Sequence, residues 1–287
     1  MAPTHPAIVF AHANGFPAGT YRTLFDVWRR SGHAVHAIEK FGHDERYPVT
    51  SNWPHLRDQL IHFVEREAEA PVYLVGHSMG GYLCVLAASR RPDLVCGVVL
   101  LDSPLLGGVV GQAMRIGKFS GAVKRFSPGK VSQKRRHHWP DAEAAHAHFA
   151  SKPAFAGWAP GVLRDYIACG TEPQDAGHGL AFRREVETQI YNTLPHHIAP
   201  LLRRHPLGSP MAFIGGTRSV ENRQVGLRTT QRLTHGRVSM IEGSHLFPFE
   251  KPQAAAAAVL GWLRAFAASG EAARAPVEAA AAMTDAR

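Results

Sequence analysis

A serine in a glycine-rich turn is the first residue of this sequence whose surroundings suggest catalysis. Ser78 lies in Gly76-His77-Ser78-Met79-Gly80, directly after the apolar run 72–75. In a sharp turn between a buried strand and a helix, glycines avoid collisions with neighbouring main chain, and the hydroxyl stands above the sheet near the positive end of the helix dipole. The G-x-S-x-G pattern in this context predicts a nucleophilic serine rather than an ordinary loop serine.

A base must lie within hydrogen-bond reach of such a serine, because an unassisted hydroxyl is a poor nucleophile. His245 follows the last apolar run, 238–241. Because parallel strands end at one edge of a sheet, we expect His245 at the same edge as Ser78. His77 is nearer in the sequence, but the turn directs it away from Ser78. The sequence therefore predicts Ser78 and His245 as nucleophile and base.

The segments around these residues alternate between the two kinds of secondary structure. Apolar runs predict strands and amphipathic spacing predicts helices. The predicted strands are 7–11, 33–38, 72–75, 96–101, 211–214 and 238–241, and the helices between and after them include 19–30, 54–64, 79–90, 221–234 and 251–268. This alternation predicts an α/β fold with a mostly parallel sheet flanked by helices.

The alternation stops between the two halves of the predicted sheet. This stretch is basic and rich in histidine, with helical patches at 141–149 and 180–194 and no convincing apolar strand. We predict a core of residues 1–103 and 210–268, with 104–209 inserted as a helical cap. The tail 269–287 has low complexity and few bulky apolar residues, so we expect it to be disordered.

The charge of the chain is concentrated in the predicted cap. The formal net charge is +9, and residues 104–209 hold 14 Lys and Arg against 7 Asp and Glu, or +7 of that total. The run 134–138 lacks interleaved aromatic residues or a nucleic-acid-binding module, so we interpret it as a solvated surface and expect no nucleic acid. A positive potential there would steer anionic substrates. The histidine pairs lack the spacing of known metal sites, so we expect no metal or other cofactor.

The composition, and the lack of a signal peptide or a long apolar run, predict a globular protein that is not embedded in a membrane. Hydrophobic residues make up 45% and charged residues 19% of the chain. The sequence has no apolar run of about 18 residues and no signal peptide, so we expect a cytoplasmic protein. The cysteines are too few and too scattered for a disulfide framework or a metal site. They are Cys84, Cys96 and Cys169.

Four motifs carry a resemblance to a known family: NGFPAGTY (14–21), GHSMGG (76–81), VVLLDSP (98–104) and GSHLFPFEKP (243–252). With these the chain resembles the α/β-hydrolase superfamily, in its serine-nucleophile branch with a helical cap. The resemblance covers 7–103 and 210–268. It begins at what would be the third strand of the family, so the usual antiparallel edge strands are expected to be missing or reduced.

The orienting acid has two candidates. Members of the family usually carry it after the strand that here is 211–214, but Thr217-Arg218-Ser219 offers no carboxylate, and Glu221 lies two residues beyond the expected place. Asp102 ends the preceding strand, at the alternative position that some capped relatives use, and is the favoured candidate. Either acid would fix the tautomer of the histidine and stabilise the imidazolium.

The oxyanion would be held by two main-chain N–H groups. One is that of Met79, directly after the nucleophile. Matching Asn14-Gly15-Phe16-Pro17 to the His-Gly-x-Pro loop of the family makes Phe16 the second donor. Matching His12 and Ala13 instead would move the donor to Asn14 or Gly15.

The resemblance implies a carboxylesterase-like serine hydrolase that acts on a small acyl substrate through an acyl-enzyme, without a cofactor. A carbon–carbon bond hydrolase, a lactonase, an amidase and a perhydrolase of the same fold are alternatives. From a different class, a hydrolase-like protein that binds a small molecule without turning it over also fits. Turnover of short esters, and its loss in Ser78→Ala, would separate an enzyme from a binding protein.

Overall fold

The computed structural model describes residues 5–107, 111–113 and 129–270. The predicted disordered tail therefore lies outside the described residues beyond Gly270. Within the described ranges, none of the helices has the length and apolar character needed to cross a bilayer.

In the part of the chain that the structure describes, nine strands form two sheets. They are β1 (His5–Ala11), β2 (His33–Ala37), β3 (Val72–His77), β4 (Val95–Leu101), β5 (His138–Trp139), β6 (Thr171–Gln174), β7 (Gly177–Leu180), β8 (Met211–Gly216) and β9 (Val238–Ile241). Six of them form the central sheet in the order β2-β1-β3-β4-β8-β9, and all its neighbouring strands in the described chain are parallel. Every residue of β3, β4 and β8 is buried, which explains their continuous apolar sequences. The predicted α/β fold with a mostly parallel sheet is confirmed.

Helices cover both faces of this sheet. The helices are α1 (Arg22–Arg30), α2 (Pro54–Glu67), α3 (Met79–Arg90), α4 (Gly129–Lys134), α5 (Ala142–Ala150), α6 (Val162–Gly170), α7 (Arg184–Asn192), α8 (Ile198–Arg204), α9 (Val220–Val225), α10 (Arg228–Leu233), α11 (Phe247–Glu250) and α12 (Pro252–Ala268). Alternate residues of β1 enter different cores: Ile8 packs with α1 and α12, whereas Val9 packs with α2 and α3. The sheet is therefore buried on both faces, and its edge at the ends of the strands is left for a site.

The chain between β4 and β8 differs from the prediction in one respect. Its predicted helical patches correspond to α5 and α7, but the segment also contains an antiparallel sheet in the order β5-β7-β6. The prediction of a helical insertion without a convincing apolar strand did not include this small sheet. The sequences of β6 and β7 are TEPQ and GHGL, which have no apolar alternation for a sequence pattern to reveal. The division into a core and a cap remains a prediction.

The helix predicted at 221–234 is also wrong in detail, because the chain forms two short helices there, α9 and α10. Gly226 separates them with φ of 74°, a left-handed conformation that ends α9. The region still connects β8 to β9 as a helical crossover.

Candidate active site

Ser78 occupies a strained turn between β3 and α3. Its φ and ψ are 53° and −114°, a region that costs a non-glycine residue about 1–3 kcal/mol. Its main-chain N–H donates to the Leu101 carbonyl oxygen at 2.9 Å, which anchors the turn to β4. A Cβ atom on Gly80 would overlap the carbonyl of Ala11, and one on Gly76 would overlap the main chain of Gly80. The glycines are therefore required by close main-chain packing, and Ser78 is partly exposed at this turn.

His245 lies within reach of that hydroxyl. It comes from the loop between β9 and α11, and its Nε2 is 3.0 Å from Ser78 Oγ. Its Nδ1 is 2.7 Å from Asp102 Oδ2, and 18% of its side chain is exposed. The structure thus brings together the three side chains that the sequence analysis favoured, in a continuous line of hydrogen bonds.

Asp102 is fully buried at the end of β4 and is held by four hydrogen-bond donors. Oδ1 accepts from the Gly216 main-chain N–H at 2.6 Å and from Asn222 Nδ2 at 2.8 Å. Oδ2 accepts from the Ser219 hydroxyl at 2.6 Å, in addition to His245. With every position around the carboxylate used, its orientation toward the imidazole is fixed.

Glu221 is a second carboxylate near the same imidazole. Its Oε2 lies 3.7 Å from His245 Nδ1, beyond a hydrogen bond, and 45% of its side chain is exposed. The Ser219 hydroxyl oxygen lies 3.3 Å from the same Glu221 oxygen. The geometry therefore favours Asp102 over Glu221 as the group that orients the histidine. Glu221 acts on His245 only through its negative charge.

The surroundings of His245 favour its protonated form. Burial lowers the pKa of this imidazole, but the hydrogen bond to Asp102 and the negative charges of Glu221 and Asp102 outweigh burial. The net result is a pKa above the usual 6.5. A base of this kind accepts a proton readily and loses its function as the pH falls through its raised pKa.

One of the two predicted oxyanion donors is available and the other is not. Met79 begins α3, and its N–H has no acceptor among the residues that the structure describes. The Phe16 N–H donates to the Ala13 carbonyl oxygen at 3.1 Å and closes a turn, with Gly15 at φ of 80°. The Phe16 N–H is thus already used within this turn, which favours the alternative alignment, with Asn14 or Gly15. The identity of the second donor stays a prediction.

The residues that hold Asp102 were not identified from the sequence. Ser219 was noted only because it offers no carboxylate, although its Oγ donates to Asp102 and accepts the Asn222 N–H at 3.1 Å. That second bond caps the first turn of α9. A Ser-x-x-Asn spacing just before a helix could have indicated the cap, but not the buried carboxylate that the hydroxyl also reaches.

An aromatic cluster connects the loop after β1 with the chain between β4 and β8. The Phe16 ring lies 6.0 Å from the Trp158 ring, 5.7 Å from that of Tyr166 and 5.2 Å from that of Phe249, measured between centroids. The Ala159 N–H also donates to the Phe249 carbonyl oxygen at 2.9 Å. Phe249 follows His245 by four residues, so an apolar wall stands beside the loop of the imidazole.

The site offers one set of residues that could hold a metal ion. Asp102, Glu221 and His245 each have a ligand atom within 4.8 Å of the others. His245 Nδ1, however, is 2.7 Å from Asp102 Oδ2, a hydrogen-bond distance, and an ion would have to replace that proton. The donor set fits an oriented imidazole better than a metal centre.

Comparison with known proteins places the chain in a family. The model of the alpha/beta hydrolase family matches residues 8–259. The monoglyceride lipase of Rattus norvegicus is 37% identical over 111 residues, which cover 36% of this chain and 36% of that protein. The sn-1-specific diacylglycerol lipase ABHD11 of Mus musculus is 27% identical over 225 residues, which cover 75% of this chain and 66% of that protein. The chain thus matches less than two thirds of the length of either relative.

Solved structures share the fold at low sequence identity. The crystal structure of E-2-(acetamidomethylene)succinate hydrolase has a TM-score of 0.73 and 22% identity, and the match covers 92% of this chain and 93% of that one. A thioesterase domain from the curacin biosynthetic pathway has a TM-score of 0.70 and 19% identity, with 90% and 92% covered. At these identities the likeness concerns the arrangement of the chain rather than its substrate.

Proposed function

Because the chain belongs to the alpha/beta hydrolase family, we propose that it is a serine hydrolase that cleaves carboxylic esters through an acyl-enzyme intermediate. The observation that carries the proposal is the line of hydrogen bonds from Ser78 through His245 to Asp102, with distances of 3.0 Å and 2.7 Å. Acyl transfer through a serine requires a base within hydrogen-bond distance of both the nucleophile and an orienting acid, as it is among these three side chains.

The proposed reaction begins with transfer of the Ser78 hydroxyl proton to His245 Nε2 as Oγ attacks the acyl carbon. Asp102 holds the Nδ1–H tautomer and stabilises the imidazolium, without taking its proton. The main-chain N–H of Met79 and one N–H of the loop after β1 donate hydrogen bonds to the developing oxyanion. The imidazolium then protonates the leaving alcohol. In the second half, His245 takes a proton from a water molecule that attacks the acyl carbon, and it returns this proton to Ser78 Oγ as the acyl–oxygen bond breaks and the acid leaves.

The substrate class rests on the relatives and on the aromatic wall. The sequence relatives carry the names of acylglycerol lipases, which cleave carboxylic esters. The partly exposed ring of Phe16, which packs on the buried ring of Phe249, would offer an apolar surface to an acyl chain. We therefore expect neutral esters with an apolar acyl group to be better substrates than amides.

A panel of substrates tests the proposal. Purified protein is assayed with p-nitrophenyl esters of increasing acyl length, with a monoacylglycerol, and with the p-nitroanilide of one matching acid. We expect ester hydrolysis that varies with acyl length and little amide hydrolysis. Saturable binding of the esters without turnover would contradict an enzyme and favour a binding protein, and faster cleavage of the anilide would indicate an amidase.

The charge of Glu221 gives a prediction for the pH profile. Its carboxylate raises the pKa of His245, so Glu221→Gln should lower that pKa. Because the base must be neutral to act, the acidic limb of kcat/KM should move to lower pH in the variant. Activity measured against pH with one p-nitrophenyl ester checks this. A limb that stays in place, or moves to higher pH, would mean that Glu221 does not act on His245.

The matched control for that profile is Glu242→Gln. Glu242 is an exposed carboxylate on the loop that also carries His245, and it pairs with Arg218 at 3.0 Å rather than with His245. Its removal changes the net charge by the same amount, and we expect the acidic limb of this variant to coincide with that of the wild-type protein.

A further inference from the structure

A chain of buried hydrogen bonds joins the loop after β1 to the loop that carries His245. The Ala13 N–H donates to the Tyr21 hydroxyl oxygen at 3.1 Å, and that oxygen is 2.7 Å from His77 Nδ1. His77 Nε2 is 2.9 Å from the main-chain carbonyl oxygen of His245. Tyr21 and His77 are both 0% exposed. Neither side chain takes part in the proposed proton transfers. The burial of these two polar side chains, with all their hydrogen-bonding atoms paired, therefore indicates a different role.

Only one placement of protons satisfies this chain. A carbonyl oxygen can only accept a hydrogen bond, so His77 Nε2 must carry a proton and donate a hydrogen bond to the main-chain carbonyl oxygen of His245. Burial lowers the pKa of His77 to about 3, so the imidazole is neutral and its Nδ1 is an acceptor. The Tyr21 hydroxyl therefore donates to Nδ1, and its oxygen accepts the Ala13 N–H. The direction of every bond is fixed.

The next peptide group along the same loop is fixed as well. The Ala13 carbonyl oxygen is 2.8 Å from His12 Nδ1 and accepts the Phe16 N–H at 3.1 Å. His12 Nε2 accepts the Phe41 N–H at 2.9 Å, so the proton of His12 lies on Nδ1. The Ala13 carbonyl and the Asn14 N–H belong to one planar trans peptide and point in opposite directions. Holding the carbonyl on one side therefore sets the direction of the Asn14 N–H.

We propose that Tyr21 and His77 are positioning residues, which hold the main chain of His245 and the Ala13 N–H in a fixed relation to each other. Through Ala13 they also fix the adjoining Asn14 peptide, whose carbonyl side His12 holds. The base and the second oxyanion donor are then set relative to Ser78 before the substrate binds. The inference rests on the proposed function, because it assigns these roles to His245 and to the loop after β1. Within this proposal the second donor is the Asn14 N–H rather than that of Gly15, because the Asn14 N–H is the one whose direction these bonds fix.

A comparison of two tyrosines tests the kinetic part. Tyr21→Phe removes the central hydroxyl, and Tyr82→Phe removes an equally buried hydroxyl that bridges the Pro104 carbonyl and the Leu106 N–H, at 2.7 Å and 3.1 Å. Both variants should lose similar thermal stability. We expect Tyr21→Phe to lower kcat by about 10- to 100-fold, with KM within about twofold, because a small misplacement of catalytic groups costs rate rather than binding. Tyr82→Phe should keep kcat within about twofold.

Equal kcat values in Tyr21→Phe and Tyr82→Phe would overturn the inference and leave the proposed function standing. A rise in KM with unchanged kcat in Tyr21→Phe would overturn it too, since it would mean that the hydroxyl shapes the substrate pocket.

The tautomer of His77 is a readout that needs no activity. Nitrogen-15 NMR of the wild-type protein at neutral pH, with the His77 signals assigned by their loss in His77→Gln, should show a neutral imidazole protonated at Nε2. Protonation at Nδ1, or a charged ring, would overturn the inference. If the protein hydrolyses no ester, the proposed function fails, but the NMR measurement still tests the chain of hydrogen bonds. Because it uses the wild-type protein, it also tests the inference when Tyr21→Phe does not fold.

Discussion

Ser78→Ala should lower kcat for p-nitrophenyl esters by about 10⁴- to 10⁶-fold, the loss expected when the nucleophile of a serine hydrolase is removed. The substitution keeps the Cβ atom, so the strained conformation of residue 78, with φ of 53°, is imposed on alanine as on serine. One hydrogen bond, that with His245 Nε2, is lost. The free energy of unfolding should therefore change by only about 1 kcal/mol. Loss of activity without loss of fold is the signature of a chemical role.

Ser89→Ala is the control for this variant. Ser89 lies near the end of α3, on the same helix that Ser78 precedes, and its hydroxyl donates to the His205 carbonyl oxygen at 3.0 Å. We expect its kcat to equal that of the wild-type protein. Rates are compared together with labelling by a fluorophosphonate probe, which should modify the wild-type protein and Ser89→Ala but not Ser78→Ala. Retained labelling or turnover in Ser78→Ala would place the nucleophile elsewhere.

The parts of the site that could be predicted are those that the sheet itself positions. Ser78, Asp102 and His245 each follow a strand of one parallel sheet, so their order along the chain and the apolar runs before them were enough to predict one common edge. Main-chain bonds complete that edge: the Ser78 N–H donates to the Leu101 carbonyl, and the Asp102 N–H donates to the Ile214 carbonyl at 2.8 Å. Neighbouring strands hold each other's ends in register.

The parts that could not be predicted depend on contacts between distant segments. The Tyr21 hydroxyl forms a hydrogen bond with His77, which lies 56 residues later in the sequence. No periodic pattern of residues predicts such a contact. The sequence left the second oxyanion donor open because the family motif has two possible alignments in this loop, and the bond from the Phe16 N–H to the Ala13 carbonyl now favours one of them. The short strands β6 and β7 form through the pairing of polar and glycine residues, which has no signal in hydrophobic pattern.

The position of the acid shows how geometry separates two carboxylates that the sequence left open. Asp102 and Glu221 both lie near Nδ1 of His245, at 2.7 Å and 3.7 Å. Asp102 is buried and accepts hydrogen bonds from four donors. Glu221 is nearly half exposed, so water screens its charge. Their removal should therefore have very different consequences.

Asp102→Asn should lower kcat by about 10⁴-fold, with KM little changed, because an amide at this place favours the wrong tautomer of the imidazole. An asparagine can still accept from Gly216 and Asn222 through Oδ1, but it presents an N–H₂ group to His245 Nδ1 and to the Ser219 hydroxyl. His245 then carries its proton on Nε2, where it faces Ser78 and cannot accept the hydroxyl proton. Glu221→Gln, which leaves that tautomer alone, should keep kcat within about fivefold at a pH above the acidic limb.

Steady-state kinetics of Asp102→Asn, Glu221→Gln and the double variant, with thermal unfolding as a check on the fold, separate the two acids. If Asp102 alone orients the imidazole, the double variant should be about as slow as Asp102→Asn. Activity retained in Asp102→Asn and lost in Glu221→Gln would assign the orienting role to Glu221. A double variant far slower than either single one would mean that Glu221 orients the imidazole once Asp102 is gone, which 1 Å of movement toward Nδ1 would allow, since the carboxylate would then come within about 2.7 Å.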